Sequence, residues 1–224
     1  RQRQMCISDS LYTYADSLEG LKPASRNRRL AAIKSLFSFG TKTGYLSVNV
    51  GAALPLLQLE DTLAEHILSQ EEVLRLLAYE PNPRNHALLR LLYGAGLRVS
   101  EVCSLTWEKL HAREGRGQIT VFGKGSKTRH ILLSEATWQE ILALRDDSPL
   151  TSPVFLSRKR KNNRGEPTNR QLDPSDVRRI VYQAAKRAGL SEKVSPHWMR
   201  HAHISHALDK GAPPHLVQQT VGHK

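Results

Sequence analysis

Five residues of this sequence are of types and spacing that could do chemistry: Arg98, Lys124, His197, Arg200 and His223. Arg98 sits in "GAGLRVSEVCSL" (residues 94–105), where a Gly94-Ala95-Gly96 break parts two apolar stretches and Glu101 follows three residues on. Two readings fit that placement. One is a buried Arg98–Glu101 ion pair that fixes the joint; the other is a guanidinium that faces a cleft and binds an anion. Lys124, between two glycines in "VFGKGSKTRHILL", is either an exposed turn residue or a donor presented by the turn. His197 and Arg200 are three apart and share a helix face, as ordinary surface residues or as an acting pair. His223 follows a glycine, where a capping role would also suit it.

As a set, the five fit a metal-free phosphoryl transfer. A phosphodiester under attack develops charge on its non-bridging oxygens, and two arginines can clamp those oxygens with forked hydrogen bonds. Histidines add donors or move a proton to and from the attacking oxygen, and a lysine on a glycine-flanked turn can protonate the departing sugar oxygen. The missing part is a nucleophile. A metal reading is weaker. Six histidines (197, 201, 203, 206, 215 and 223) crowd the last thirty residues, but no HExxH pattern, no cysteine and almost no acidic ligand accompanies them. Nor is there the carboxylate cluster that a two-metal nuclease needs.

The elements that must position these residues are mostly helical. Residues 8–54 read as helices: "SRNRRLAAIKSLFSFGTKTG" puts Leu30, Ile33 and Phe37 on one stripe, Arg28 opposite, and Gly44 at the stop. Residues 54–68 lose the pattern around Pro55 and read as a linker. "LSQEEVLRLL" restarts it, with Ser69 and Glu72 in capping-box register. "NHALLRLLYGAG" and "SEVCSLTW" read as helical, and "QITVFGKGSKTRHILL" as two β-rich runs about a turn. Two more helices follow, one capped by Asp173 or Ser175 and stopped at Gly189, the other with Ser195 as cap, Pro196 at its first position and Gly211 past its end. "PPHLVQQTVGH" starts a last one. The expected fold is mainly α with a small β-sheet or hairpin (α+β), in two domains.

The 224 residues carry 33 Lys+Arg against 21 Asp+Glu, a net charge of +12, which points to a polyanionic partner, nucleic acid before an anionic membrane. Residues 1–50 hold eight of the basic residues against three acids. Arg26, Arg28, Arg29 and Lys34 there, Lys127 beside the hairpin, and Arg158, Lys159, Arg160 and Lys161 in a polar loop are the candidate DNA contacts. No apolar run is long enough to span a bilayer. Cys6 and Cys103 are only two and far apart, as expected in a reducing cytoplasm. The opening Arg1 and the abrupt "VGHK" read as a fragment of a longer protein.

"GLRVSEVCSLTW", "VFGKGSKTRHILL", "SPHWMRHAHISHALDKGAP" and "LVQQTVGH" resemble, in order and spacing, the tyrosine recombinase (phage integrase) family, with Xer-type bacterial recombinases the nearest kind. The resemblance covers most of the chain. It implies an N-terminal, SAM-like helical core-binding domain at 1–54, incomplete at its front, a linker at 55–68, and a catalytic domain at 69–224. Arg98 would be the first catalytic arginine with Glu101 as its supporting acid, Lys124 the general acid of the hairpin, His197 and Arg200 the H-x-x-R pair, and His223 the second histidine. It further implies double-stranded DNA as partner, a homo-tetramer on two DNA sites (or a hetero-tetramer with a paralogue), no metal or small-molecule cofactor, and a bacterial, nucleoid-associated cytoplasmic home. The family's nucleophilic tyrosine lies beyond the second histidine, where none of Tyr12, Tyr14, Tyr45, Tyr79, Tyr93 or Tyr182 stands. The chain as given is therefore expected to bind DNA without cleaving it. Rival expectations are a non-catalytic DNA-binding protein of this fold, a type IB-like topoisomerase and, more distantly, a basic membrane-surface protein.

Overall fold

The structure, a computed structural model, describes residues 2–59, 67–122, 128–157, 171–191 and 194–222. The chain divides into two compact units, Arg1–Thr62 and Leu63–Lys224.

In the first unit, α1 (Gln2–Asp16) and α2 (Pro23–Lys42) enclose a small core. Leu11, Ala15 and Leu18 meet Leu30 and Leu54, and Ile33 and Phe37 pack half-buried beside them. The apolar stripe of α2 thus faces inward, and Arg28 and Arg29 are exposed while Arg26 is half-buried. A short 3₁₀ turn, Val50–Ala53, closes the core. Lys34 anchors it: the ammonium donates to the carbonyls of Ala52 (2.9 Å) and Leu54 (2.6 Å). Asn27 holds the chain a little further on, donating to the Leu57 carbonyl at 2.7 Å and accepting from its N–H at 2.9 Å.

The second unit is built around α4 (Pro83–Gly94), which packs against α3 (Gln70–Ala78), α5 (Val99–Cys103), α6 (Glu135–Leu142) and α8 (Pro196–Asp209). Ala87, Leu88, Leu89, Leu91 and Leu92 are fully buried, so the apolar face of this helix is broad, with Arg84, His86 and Arg90 half-buried at its margins. The capping box at the start of α3 is present: Ser69 Oγ accepts from the Glu72 N–H, and the Glu72 carboxylate accepts from the Ser69 N–H. Helix α7 (Pro174–Arg187) is capped by Asp173, which accepts from the Ser175 N–H at 2.8 Å. A last helix, α9 (Pro214–Val221), follows α8 and packs on it.

A three-stranded antiparallel sheet lies beside the helices in the order β1 (Leu110–Arg113), β2 (Arg116–Phe122), β3 (Thr128–Leu133). In β2 and β3, Ile119 pairs with Ile131 and Val121 with Arg129, and the buried face carries Ile119, Val121, Ile131 and Leu133. Arg129 takes the next inward place of that face.

Three sequence expectations need correction. "SEVCSLTW" is helical only over Val99–Cys103; Thr106 then bridges to Pro153 and Trp107–Lys109 makes a 3₁₀ turn. Ser195 occupies the N-cap position of α8 but its side chain makes no capping bond there. The sheet has a third strand, β1, beyond the two runs expected.

Candidate active site

The joint after α4 is where the site begins. Gly96 takes φ +56°, and a Cβ there would come within 2.7 Å of the His203 ring, so only glycine lets the chain turn this closely under α8. Two residues on, Arg98 sits at the N-cap of α5 in extended conformation. The ion pair of the first reading is present, and the guanidinium of the second stays accessible. The Arg98 N–H donates to Glu101 Oε2 at 2.8 Å and its Nη1 to Oε1 at 3.0 Å. Yet the Arg98 side chain is 39% exposed against 9% for Glu101, so the ion pair anchors a guanidinium that still faces outward.

Arg200 reaches the same place from α8. It is 3% exposed, and its Nη1 and Nη2 donate to the carbonyls of Gly96 and Val221. Burial, and then the charge of Arg98, hold its pKa down to about 10, which leaves it charged at neutral pH. His197 lies one turn earlier on α8, exposed, with its ring edge-on to His201 at 4.1 Å between centroids. Although the residue as a whole is exposed, partial desolvation of its ring, and then the Arg200 charge, push the His197 pKa below the usual histidine value, which favours a neutral imidazole at physiological pH.

Arg129 is the residue sequence reading passes over. Its Nη1 and Nη2 donate to Glu101 Oε1 (3.0 Å) and Oε2 (2.8 Å), and its Nε donates to the Thr220 carbonyl at 2.8 Å. Burial alone would raise the Glu101 pKa; the Arg129 bonds, the Arg98 N–H and the Arg129 charge outweigh it and hold the carboxyl below the ordinary value. The signal was legible. In "TRHILL" the alternation that points Ile131 and Leu133 inward also points Arg129 inward, and a buried arginine needs a partner.

Three guanidiniums therefore converge at the C-terminal end of α9, two of them holding the Glu101 carboxylate. Arg129 donates to the carbonyl of Thr220, Arg200 to that of Val221 and Arg98 to that of Gly222 at 2.7 Å. Gly222 takes φ +66°, and a Cβ there would lie 3.1 Å from Arg129 Nη1 and 3.4 Å from Arg98 Nη1. An arginine carries five N–H donors, and Arg98 and Arg200 have donors beyond these bonds. The excess of positive charge makes this a candidate anion site.

The structure thus brings together Arg98, Glu101, Arg200 and, on the same helix, His197. Lys124, Lys127, Arg158, Lys159, Arg160, Lys161 and His223 lie outside the described residues. Among the basic residues expected to contact DNA, Lys34 is engaged with backbone carbonyls, while Arg28 and Arg29 are exposed. Among the described residues, no group of three or more His, Cys, Asp or Glu could hold a metal ion, and no helix is long and apolar enough to cross a membrane.

Comparison with known proteins bears on this geometry. The profile of the Phage integrase family matches residues 66–224. The tyrosine recombinase XerC of Thermodesulfovibrio yellowstonii is 30% identical over 221 residues, covering 92% of this chain and 69% of that protein. The tyrosine recombinase XerD of Oceanobacillus iheyensis is 33% identical over 230 residues, covering 97% and 72%. Other XerC relatives, from Xanthomonas campestris, are spanned over only 64% of their length. Among solved structures, a XerH site-specific recombinase bound to its difH substrate in a pre-cleavage complex aligns with a TM-score of 0.69 at 23% identity, covering 98% of this chain and 63% of that one. A Tn1549 transposon integrase in complex with circular intermediate DNA aligns with a TM-score of 0.73 at 18% identity, covering 97% and 77%.

Proposed function

Because this chain belongs to the phage integrase family, as a tyrosine recombinase relative of Xer type, we propose that it is the DNA-binding and catalytic part of a site-specific recombinase. It acts without metal on a phosphodiester of double-stranded DNA. Arg98 and Arg200 grip the non-bridging oxygens, where charge grows as the phosphorus is attacked. His197 donates to the same phosphoryl group or relays a proton, and His223 assists it. Lys124 protonates the departing 5′ oxygen. A tyrosine hydroxyl attacks, a 3′-phosphotyrosyl link replaces the broken phosphodiester, and a 5′-hydroxyl leaves. The bond's energy is retained in the link, so rejoining requires no nucleotide.

In this reading the tyrosine is supplied by residues outside 1–224 or by another protomer, and these residues by themselves bind DNA without cutting it. The first unit is a core-binding domain that contacts duplex DNA. The assembly is a tetramer on two sites, at work in the bacterial cytoplasm. The observation that carries the proposal is the meeting of Arg98 and Arg200 beside one buried carboxylate, within the family match over 66–224.

The test is covalent trapping on nicked suicide DNA by the full-length protein, alongside DNA binding by residues 1–224 at several salt concentrations. A phosphotyrosyl adduct that needs Arg98, with binding that weakens steeply as salt rises, supports the reading. Binding that is insensitive to salt, or an adduct that forms equally well in Arg98→Ala, overturns it.

A further inference from the structure

We infer that Arg129 is a positioning residue of this site: it fixes the carboxylate behind Arg98 and, through the same guanidinium, the end of α9. The inference rests on the reading that Arg98 grips a DNA phosphate.

Three observations carry it. First, the geometry leaves Arg129 poorly placed to touch a substrate. It is 9% exposed, and its Nε, Nη1 and Nη2 each already donate within the protein. Second, both oxygens of Glu101 are doubly engaged. Oε1 accepts from Arg98 Nη1 and Arg129 Nη1; Oε2 accepts from the Arg98 N–H and Arg129 Nη2. A carboxylate offers about four acceptor sites, so Arg98 and Arg129 fill it between them and orient each other through it. Third, Arg129 lies on β3, one residue after the pairing of Phe122 with Thr128 that closes the described part of the hairpin. Strand β3, the arginine at the N-cap of α5 and the end of α9 are thereby joined at one side chain.

The charged groups facing Glu101 are Arg98 at the start of its own helix, Arg129 from β3 and Arg200 from α8. Helix α9 presents only the carbonyls of Thr220, Val221 and Gly222 to these arginines. On the other side of α5, Asp173 and Asp176 by α7 act on Cys103. Without Arg129, Glu101 loses two of its four hydrogen bonds while remaining buried. Its proton affinity then rises, and once protonated it no longer offers a charged oxygen to both the Arg98 N–H and Nη1.

The experiment compares full-length wild type, Arg129→Gln and Arg129→Lys in single-turnover cleavage of suicide DNA from pH 5.5 to 8, with DNA affinity measured in parallel. The expected result is a ratio of Arg129→Gln to wild-type rate that falls at least tenfold from pH 8 to pH 5.5 at unchanged affinity. Arg129→Lys, which keeps a charge beside Glu101, should remove most of that fall while staying slower than wild type. A ratio that is constant with pH, or a rate loss matched by lost affinity, overturns the inference. Amide hydrogen exchange supplies a readout that needs no cleavage. In Arg129→Gln the amides at 218–222 should exchange at least tenfold faster, with those of Leu88 to Leu92 unchanged; unchanged exchange at 218–222 overturns the inference. Should the wild type fail to cleave, the recombinase reading fails, and the exchange result alone decides the role of Arg129.

Discussion

The hydroxyl of Tyr93 and Nδ1 of His206 meet at 3.0 Å, joining the last turn of α4 to the buried side of α8, 113 residues away. Their rings cross edge to face at 5.8 Å between centroids. Both helices bear on the site: α4 ends at the Gly96 joint that leads to Arg98, and α8 carries Arg200. Tyr93→Phe keeps the ring contact but leaves a buried histidine nitrogen without its partner. The expected cost is about 1–3 kcal/mol, read as a lower melting temperature, with DNA affinity unchanged.

Gly96→Ala should do more than a typical surface substitution. The residue combines a left-handed φ with a contact that would place a new Cβ against His203. Strain of about 1–3 kcal/mol is expected, together with loss of DNA cleavage, because the Gly96 carbonyl also receives Arg200. Thermal melting and suicide-substrate cleavage check the two effects. A variant as stable and as active as wild type would show that the joint tolerates displacement.

Arg98→Ala and Arg200→Ala should separate in stability while agreeing in chemistry. Each is expected to lower cleavage by about a hundredfold or more, the effect of removing one group that stabilises developing charge, with DNA affinity changed only a few-fold. Arg98 is partly exposed, so its variant should melt near wild type. Arg200 is buried and bonds two backbone carbonyls, so its variant should melt earlier, and Arg200→Lys should recover part of the stability without the chemistry. Paired melting curves and single-turnover rates test this.

Stability should fall as pH drops from 7 to 5. His197 and His203 both have pKa values below the usual histidine value, by burial first in each case, and Arg200 lowers both further. Their unfolded forms take up protons near pH 6.5 while the folded forms resist, so the stability present above that pH is lost as pH falls toward the folded values. Glu101, shifted downward, adds a second loss below the ordinary carboxylate range. Denaturant midpoints measured from pH 5 to 8 should show the first slope, and His203→Gln should flatten it.

How far the sequence discloses this arrangement depends on whether a local pattern encodes each part. Glycine at 96, an acid three residues after Arg98, and a histidine three residues before Arg200 are local spacings, and each identifies a member of the cluster. The capping box at Ser69 and Glu72 and the cap at Asp173 are equally local. Arg129 is different, because its partners lie 28 and 91 residues away. In a chain of charge +12, one more basic residue near a hairpin reads as a DNA contact until the strand's alternation is followed through it. Lys34 shows the converse. It belongs to the basic helix that charge counting singles out, yet its ammonium holds Ala52 and Leu54. Strand β1 is four residues, "LHAR", too short to show an alternation, and it exists because β2 offers it an edge.

The end of α9 faces the arginines with its carbonyls, the end of a helix that carries partial negative charge. It is in effect an internal anion already docked on Arg98, Arg129 and Arg200. A phosphate bound by Arg98 or Arg200 through those donors would compete with it. Linkage would then run in both directions: whatever tightens the hold of Arg98 and Arg200 on α9 would weaken their hold on such a phosphate, and a phosphate that took those donors would loosen the helix. The last turn of α9 would therefore gain freedom as such a phosphate is bound.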